Sequence, residues 1–552
     1  MASRPPFKQE NSFGAGMGPS YEMKSMGSRD AGTAVEEVFS EEPAPIEGLP
    51  TNDSRYRNTY DDQKDMWRLN KKQELRRNFR FLSIFGYSLI LVNGWVLAII
   101  GVIAPLTNGG TAGAIWGYLI VICGLFLSTL SMAEMASMAP TAGGQYHWVS
   151  EFAPKNYQKV LSYITGWLCV LGWQTALCST AYSGALSVQG IISLNLPNYS
   201  NAAWQGVLLT IAIVLSTIAF NTILLRKLPT FEGIMFTLHI FAFVAVIVVL
   251  WVMGDRAPAS ETFTQFSDYS GWGSYGTALF VGTLAATGSL VGSDCSAHLA
   301  EETQDASWVL PRTMVLTAIT NYAMCFFTVI TIMTVKGSSV DDLLSVPYQP
   351  YIKIFQNVTR TNGGATALTS IMFILLLFGI INQVTTTSRQ LYAFARDKGL
   401  PFSGFLSHVR PGWDVPLNAV TVTLCFSILV SFIIIGSPVA FFTLASLCQS
   451  ALYASYFIVI GCVAYRKITK QPLPPSRFDL GKAGLAINIL AMAYLALQFV
   501  LIFFPTAPHP TAEYFNWAVV VFVGTVIIAF TWYFVRGRHE YLGPVEYVRK
   551  TE

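Results

Sequence analysis

The sequence predicts an all-α integral membrane protein with twelve transmembrane helices. The first reason is composition, because 52% of the 552 residues are hydrophobic and 12% are charged, about half the charged fraction of a typical soluble domain. The second is that the apolar stretches have the length of about 20 residues that crosses a hydrocarbon core. The third is that these stretches recur from about residue 80 to about residue 535.

The twelve predicted spans are numbered here in chain order. They cover residues 81–104, 113–136, 160–193, 204–224, 230–253, 274–299, 312–335, 365–388, 417–436, 439–464, 484–505 and 515–535. Residues 1–79 are rich in Gly, Ser, Pro and acidic residues without a repeating apolar face, which predicts a disordered cytosolic tail. Residues 536–552 are predicted to be a cytosolic C-terminal tail. Because the N-terminus carries no apolar signal segment, span one is expected to act as the insertion signal.

Cationic residues concentrate on alternate loops and on both tails, which places both termini in the cytosol by the positive-inside rule. The residues on that side are Lys71, Lys72, Arg76, Arg77, Arg80, Lys155, Lys159, Arg226, Lys227, Arg389, Arg396, Lys398, Arg410, Arg466, Lys467, Lys470, Arg477, Lys482, Arg536 and Arg538. The opposite loops carry two N-glycosylation sequons, at Asn198 and Asn357. We therefore expect both sequons outside.

Two spans carry glycine and small polar residues at mid-depth, which lowers the cost of unwinding a helix. Span one contains Asn93-Gly94-Trp95. Span six contains Thr287-Gly288-Ser289 and then Gly292-Ser293-Asp294. The freed ends of a broken helix can face an anion or a cation. Close helix packing through small residues is the alternative explanation, but two clusters five spans apart favour a binding site.

Ionisable residues inside spans are candidates for function. His239 lies two turns into span five, where it could exchange a proton or simply be a hydrogen-bonded packing residue. Glu232 opens the same span and is expected to be solvated. The hydroxyls of Thr385, Thr386, Thr387 and Ser388 could coordinate an ion or bond back to their own helix.

His298 and Glu301, at the end of span six, have a spacing that one metal ion could use. No second histidine–carboxylate pair accompanies them, so we expect a solvated helix end that pairs with Arg389 or Arg396 instead. The sequence shows no nucleophile elbow and no phosphate-binding loop. We expect no enzymatic activity, metal, cofactor or nucleic-acid partner, and the oligomeric state is not predicted.

Four segments resemble the amino acid–polyamine–organocation superfamily, and within it the fungal amino acid/choline/GABA permeases. The segments are AEMASMAPTAGGQYHWV (133–149), LPTFEGIMFTLHIF (228–241), GSDCSAHLAEETQDA (292–306) and SRQLYAFARDKGLP (388–401). The resemblance implies a five-plus-five inverted repeat, with repeat one at about 80–253, repeat two at about 274–464, and two further helices at about 484–535.

The resemblance also implies a substrate site. Asn93, Gly94 and Trp95 would meet the carboxylate end of a small amine or amino acid. Gly288, Ser289, Gly292 and Asp294 would meet its amino end, and His239 would take part in ion coupling, with Thr386, Thr387 and Ser388 as the alternative ion site. Asn-Gly-Trp differs from the Gly-Ser-Gly usual in bacterial relatives, which leaves the substrate open.

The implied function is secondary active transport of amino acids, GABA or choline across a plasma membrane, coupled to protons. Export or exchange at a vacuolar membrane is one alternative. A nutrient sensor with the same fold is another.

Overall fold

The computed structural model describes residues 56, 58–69, 71, 73–222, 228–409, 415–437, 440–512, 514–541 and 543–544. The predicted disorder of residues 1–55 and the last eight residues of the predicted C-terminal tail lie outside the described residues. Residues 51–552 form one unit. Within the described part of that unit the secondary structure is helical, apart from an isolated bridge between Phe79 and Thr303.

A helix occupies each of the twelve predicted spans. The helices are Phe81–Val92 and Gly94–Ile100 in span one, Gly110–Met138, Gln158–Asn195, Ala203–Thr222, Leu228–Met253, Tyr275–Leu290 with the 3₁₀ turn Cys295–Glu302 in span six, Ala306–Val335, Asn362–Arg396, Leu417–Ser431 with Ile433–Gly436 in span nine, Ala440–Ile468, Gly484–Leu501 and Ala518–Trp532. Eleven of the spans are long and apolar enough to cross a membrane by length and composition. The described apolar part of span four, Ala203–Thr217, is shorter.

Shorter helices connect the spans. They are Tyr60–Arg68, Ile103–Thr107, Gln145–Phe152, Ala259–Thr264, Val340–Leu344, Pro350–Thr359, Ser403–Leu406, the 3₁₀ turn Gly481–Ala483, the π turn Tyr533–Gly537 and Arg538–Glu540.

Many hydroxyl groups inside the spans donate to carbonyls of their own helix, which suits a helix in hydrocarbon. The hydroxyl of Thr313 donates to the carbonyl of Val309 at 3.0 Å. Pro311 interrupts the ladder of span seven because it has no N–H for the carbonyl of Ser307. The hydroxyl of Ser137 donates to that carbonyl at 3.0 Å instead. A residue of span two thereby supplies the hydrogen bond that this carbonyl of span seven lacks.

The two tails are more ordered than the sequence suggested. Tyr60–Arg68 is a helix whose N-cap, Thr59, forms a capping box with Asp62, so the prediction of disorder to residue 79 is wrong for this segment. The C-terminal helix continues to Glu540, and the ring of the buried Tyr541 packs against Tyr163. The predicted boundary at residue 536 therefore falls inside ordered structure.

The loops fall into two groups at opposite ends of the spans. The sequon end carries Asn198 and Asn357, and there the amide of Asn362 donates to the carbonyl of Leu194 at 3.2 Å. The N-terminal end of the bundle is the end where span one begins. There Arg466 donates to the carbonyl of Phe152 at 3.0 Å. The grouping agrees with the alternation of loops that the charges predicted.

Candidate functional site

Span one is broken where the sequence predicted. Asn93 adopts a left-handed backbone conformation with φ of 46° and separates the two half-helices. Asparagine tolerates this conformation better than most residues. The N–H of Gly94 donates to Oδ1 of Asn321 in span seven at 3.0 Å. Both polar side-chain atoms of Asn93 are buried without a hydrogen-bond partner among the described residues, and they are therefore free to bind a ligand.

Span six is broken one turn later than the first of its two glycine clusters. Gly288 and Ser289 lie inside the helix that ends at Leu290, and the chain then turns through Gly292 at φ of 109°. Such an angle favours glycine. Gly292 is therefore the hinge, whereas Gly288 serves packing against Gln449 of span ten, whose Nε2 would lie 2.7 Å from an added Cβ.

The two breaks approach each other closely. A Cβ on Gly94 would lie 2.7 Å from the backbone carbonyl oxygen of Ser289, closer than such contacts allow. On the other side of span one, a Cβ on Gly379 of span eight would lie 3.2 Å from the carbonyl oxygen of Ile90. The structure therefore brings Asn93, Gly94 and Ser289 together, and glycine is what permits the approach.

Amide groups with free hydrogen-bonding atoms surround these breaks. Beside Asn93, the amide nitrogen of Asn321 and the amide oxygen of Gln449 are buried without partners in the described part of the chain. The indole N–H of Trp173, whose ring lies 3.6 Å from the Cβ position of Gly292, is also unpaired there. Asn321, Gln449 and Trp173 were not predicted from the sequence, because each stands alone in its span without a local pattern.

Asp294 is not directed at this group of amides. Its Oδ2 accepts from Nε2 of Gln145 at 2.5 Å and lies 3.4 Å from Nε2 of His298, and its Oδ1 accepts from the hydroxyl of Tyr456. Both oxygens are thus occupied, and the carboxylate ties the turn after the break to span ten. The hydrogen bonds and ion pair of Asp294 therefore involve none of the other predicted substrate contacts.

His239 and Trp95 form a pair across spans five and one. The indole N–H of Trp95 donates to Nε2 of His239 at 3.0 Å. Nδ1 of His239 has no partner among the described residues, and the imidazole is fully buried. Trp95 consequently packs between helices in this conformation, and the histidine is linked directly to the second half of span one.

The hydroxyls in span eight form hydrogen bonds with other groups of the protein. Thr386 bonds with the hydroxyl of Tyr87 at 2.6 Å, Thr387 donates to the carbonyl of Trp173 at 3.3 Å, and Ser388 donates to the carbonyl of Thr385 at 2.9 Å. Only the last of these is the back-bonding that we considered. The others join span eight to spans one and three.

Glu232 is fully buried, so the expectation that it is solvated is wrong. Its Oε2 accepts from the side-chain amide of Asn382 in span eight at 3.1 Å. Its Oε1 has no partner within the described residues.

Ion pairs close the N-terminal end of the bundle. Arg396 holds Glu301 through two hydrogen bonds of 2.7 and 2.8 Å, and Arg389 donates to Glu302 at 2.7 Å. Pairing of Glu301 with one of these arginines was predicted, but Glu301 is buried rather than solvated, and so is Glu302. His298 contacts the carbonyl of Ala142 at 3.1 Å, and no cluster able to hold a metal occurs among the described residues.

The segment before span one adds to this closure. Lys71 pairs with Asp397, which also accepts from Tyr146 at 2.9 Å. Burial alone would raise the pKa of Asp397, but the charges of Lys71 and Arg396 lower it below its ordinary value. The two carboxylate oxygens of Asp62 accept from the backbone N–H groups of Asp305 and Ala306 and cap span seven.

The two sequons differ in their surroundings. Asn198 lies exposed in the loop after span three. Asn357 lies in the helix Pro350–Thr359, and its amide donates to the hydroxyl of Ser338 at 2.6 Å. Asn198 is therefore the more accessible acceptor for a glycan.

Among the described residues, twelve apolar helices with two facing interruptions are typical of a multi-pass membrane transporter. The sequence model of the amino acid permease family matches residues 80–527, and the chain belongs to that family within the amino acid–polyamine–organocation superfamily. An uncharacterized amino-acid permease of Schizosaccharomyces pombe is 28% identical over 495 residues, covering 88% of this chain and 90% of that protein. Amino-acid permease 2 of Neurospora crassa is 29% identical over 487 residues, 86% of each.

A solved structure shares the fold. A mutant manganese transporter of Eremococcus coleocola superposes with a TM-score of 0.52 over 85% of this chain and 95% of that one, at 11% sequence identity. At that identity the likeness concerns the fold alone, which confirms the predicted fold class.

Proposed function

We propose that this protein is a secondary active transporter of an amino acid or a related amine such as GABA or choline, driven by a proton gradient. The observation that carries the proposal is the meeting of two helix breaks beside unpaired amide groups of Asn93, Asn321 and Gln449. The names of the permease relatives support an amino acid as the substrate.

The chemistry of the breaks suits a zwitterion. The half-helix Gly94–Ile100 directs its N-terminus, the positive end of its dipole, at the break. The helix Tyr275–Leu290 ends there with its carbonyl groups, which attract an ammonium group. Amides add hydrogen bonds without net charge. Because the described carboxylate nearest the break of span six, Asp294, is already engaged, a substrate with one cationic and one anionic group fits better than a polycation.

The proposal also includes the orientation of the chain, the residues that couple transport to protons, and the membrane that holds the protein. Loop charge favours cytosolic termini, and the plasma membrane is the location we propose. A buried His239 linked to Trp95 is a candidate for the proton cycle, with Thr386, Thr387 and Ser388 as the other candidates. Export or exchange at a vacuolar membrane and nutrient sensing without transport use the same fold, and transport assays separate them.

The test is uptake into proteoliposomes containing the purified protein. Labelled L-amino acids, GABA and choline are offered one at a time, first in exchange against the same unlabelled compound and then with an imposed pH gradient. Exchange of at least one compound, and its accumulation toward the alkaline side, are expected. Binding without exchange would identify a sensor and contradict the proposal. Exchange without response to the pH gradient would reject proton coupling alone.

A further inference from the structure

We propose that the carboxyl group of Glu232, paired with the carboxamide of Asn382, is the proton-binding site that couples the proton gradient to transport. The inference rests on the proposed function, because it names the residue that would carry the coupled proton. Glu232 was not among the coupling candidates that the sequence suggested.

The pair of Glu232 and Asn382 has one hydrogen-bond donor too few for its buried acceptors. Nδ2 of Asn382 donates to Oε2 of Glu232 at 3.1 Å. The remaining acceptors, Oε1 of Glu232 and Oδ1 of Asn382, are both buried without a partner among the described residues. A carboxylic acid and a carboxamide can exchange two hydrogen bonds, whereas a carboxylate and a carboxamide can exchange only one. A single proton on Glu232 would supply the missing donor.

No described cation compensates a charge on Glu232. The ionisable groups around the neighbouring Tyr87 are Cys295 and Arg389 in addition to Glu232, and Arg389 is engaged with Glu302. His239, two turns along span five, accepts from Trp95. The other described cations on the helices packed against span five are Arg312, Lys353 and Arg396, and Arg396 is engaged with Glu301. An unpaired carboxylate buried in this way is several kcal/mol less stable than in water, so the protonated acid is the form that fits the closed conformation.

A short chain of contacts joins this pair to the substrate site. The hydroxyl of Tyr87 donates to the backbone carbonyl of Asn382 at 2.7 Å, and Nδ2 of Asn382 lies 3.3 Å from the carbonyl of Tyr87. Tyr87 is in the same half-helix as Ile90, which packs on Gly379 beside the break at Asn93. Movement of span one against span eight would thus change the surroundings of the carboxyl group, and coupling of this kind is reciprocal between proton and substrate.

The experiment compares Glu232→Gln with the parent protein in proteoliposomes, using labelled GABA, choline and L-amino acids. For one proton per substrate, a gradient of one pH unit should raise the parent's accumulation about tenfold. Glu232→Gln keeps the shape of the group and removes its acidity. It should retain exchange at equal pH and lose accumulation. Glu261→Gln, a change at an exposed carboxylate, is the matched control and should behave as the parent.

Accumulation by Glu232→Gln equal to that of the parent would overturn the proposal and leave the proposed function intact. A parent that exchanges no compound would instead reject the proposed function. A parent that exchanges without responding to the gradient would reject proton coupling and Glu232 together. If Glu232→Gln does not exchange at all, Glu232→Asp decides. It should accumulate substrate with a shifted pH dependence, and an unshifted dependence or exchange without accumulation would overturn the proposal.

Discussion

The centre of the bundle and its N-terminal end treat polar side chains in opposite ways. At the centre, Asn93, Asn321 and Gln449 are neutral, buried and incompletely bonded. At the N-terminal end, Glu301 and Glu302 are charged, buried and paired with arginines. Unsatisfied neutral groups are suited to exchange protein contacts for a ligand, whereas buried ion pairs hold one conformation until both partners are separated. The difference indicates a binding region at the centre and a closed gate at the N-terminal end, formed by the ion pairs of Glu301 and Glu302.

The largest expected effect comes from closing the space between the breaks. Gly94→Ala, and still more Gly94→Leu, should abolish exchange without preventing membrane insertion, because the new Cβ meets the backbone oxygen of Ser289 at 2.7 Å. Gly288→Ala should reduce exchange only a few-fold, because its Cβ meets the flexible end of Gln449. Gly288→Leu should abolish exchange as well. Proteoliposome exchange, normalised to inserted protein, checks the order. Equal loss in Gly94→Ala and Gly288→Ala would show that the two glycines are equivalent.

The gate should be weakened by removing one partner of a buried pair. Arg396→Ala leaves Glu301 buried and unpaired, which costs about 3–5 kcal/mol, and should shift the protein toward conformations open at the N-terminal end. Labelling of a cysteine placed at Ala300 reports that opening. Arg360→Ala is the control, since its pair with Asp255 is exposed and contributes less than about 1 kcal/mol. Unchanged labelling in Arg396→Ala would mean that this pair does not hold the gate.

The break in span one could be predicted from the sequence, but the residues that contact the breaks from other spans could not. Asn93 next to Gly94 is a local signal for a break, and the structure has the break there. Gln449 and Asn321 meet the breaks through contacts that span more than a hundred residues, and a single amide in an apolar helix carries no pattern. Glu232 was expected to be solvated because it opens span five near the predicted cytosolic face. Its partner, Asn382, lies 150 residues later, so nothing in the local sequence indicates the pair. The helix Tyr60–Arg68 was missed although Thr59 and Asp62 have capping-box spacing.

A smaller effect is expected from shortening the central amides. Asn93→Ala and Gln449→Ala should each raise the substrate concentration for half-maximal exchange about tenfold, the loss of one hydrogen bond of about 1.4 kcal/mol. Asn488 in span eleven is also buried and has no partner among the described residues. Asn488→Ala, outside the two breaks, is therefore the matched control and should leave that concentration unchanged. An equal effect in all three variants would point to general loosening of the bundle.

The smallest expected effect is that of pH on the ion pair between Lys71 and Asp397 at the N-terminal end of the bundle. Because the pKa of Asp397 in the folded protein lies below its ordinary value of 3.8, its carboxylate is ionised above that value and can pair with the protonated Lys71. The pairing is lost as pH falls through the lowered one. Hydrogen exchange of residues 73–80, corrected for intrinsic rates, should therefore be the same at pH 8 and pH 5. Lys71→Met should raise the hydrogen-exchange rate of this segment at both pH values. A loss of protection between pH 8 and pH 5 in the parent would mean that another group controls this segment.

The central claim is that substrate binds between the two breaks. Ser289→Cys places a thiol beside the break of span six, where the parent hydroxyl bonds with that of Tyr118 at 3.2 Å. Mass spectrometry of the peptide containing position 289 separates its alkylation from that of the eight native cysteines. The compound most actively exchanged by this variant is then added at increasing concentration during alkylation. The account predicts that it protects position 289 at the concentrations that saturate exchange. Undiminished alkylation at a concentration that saturates exchange would contradict it.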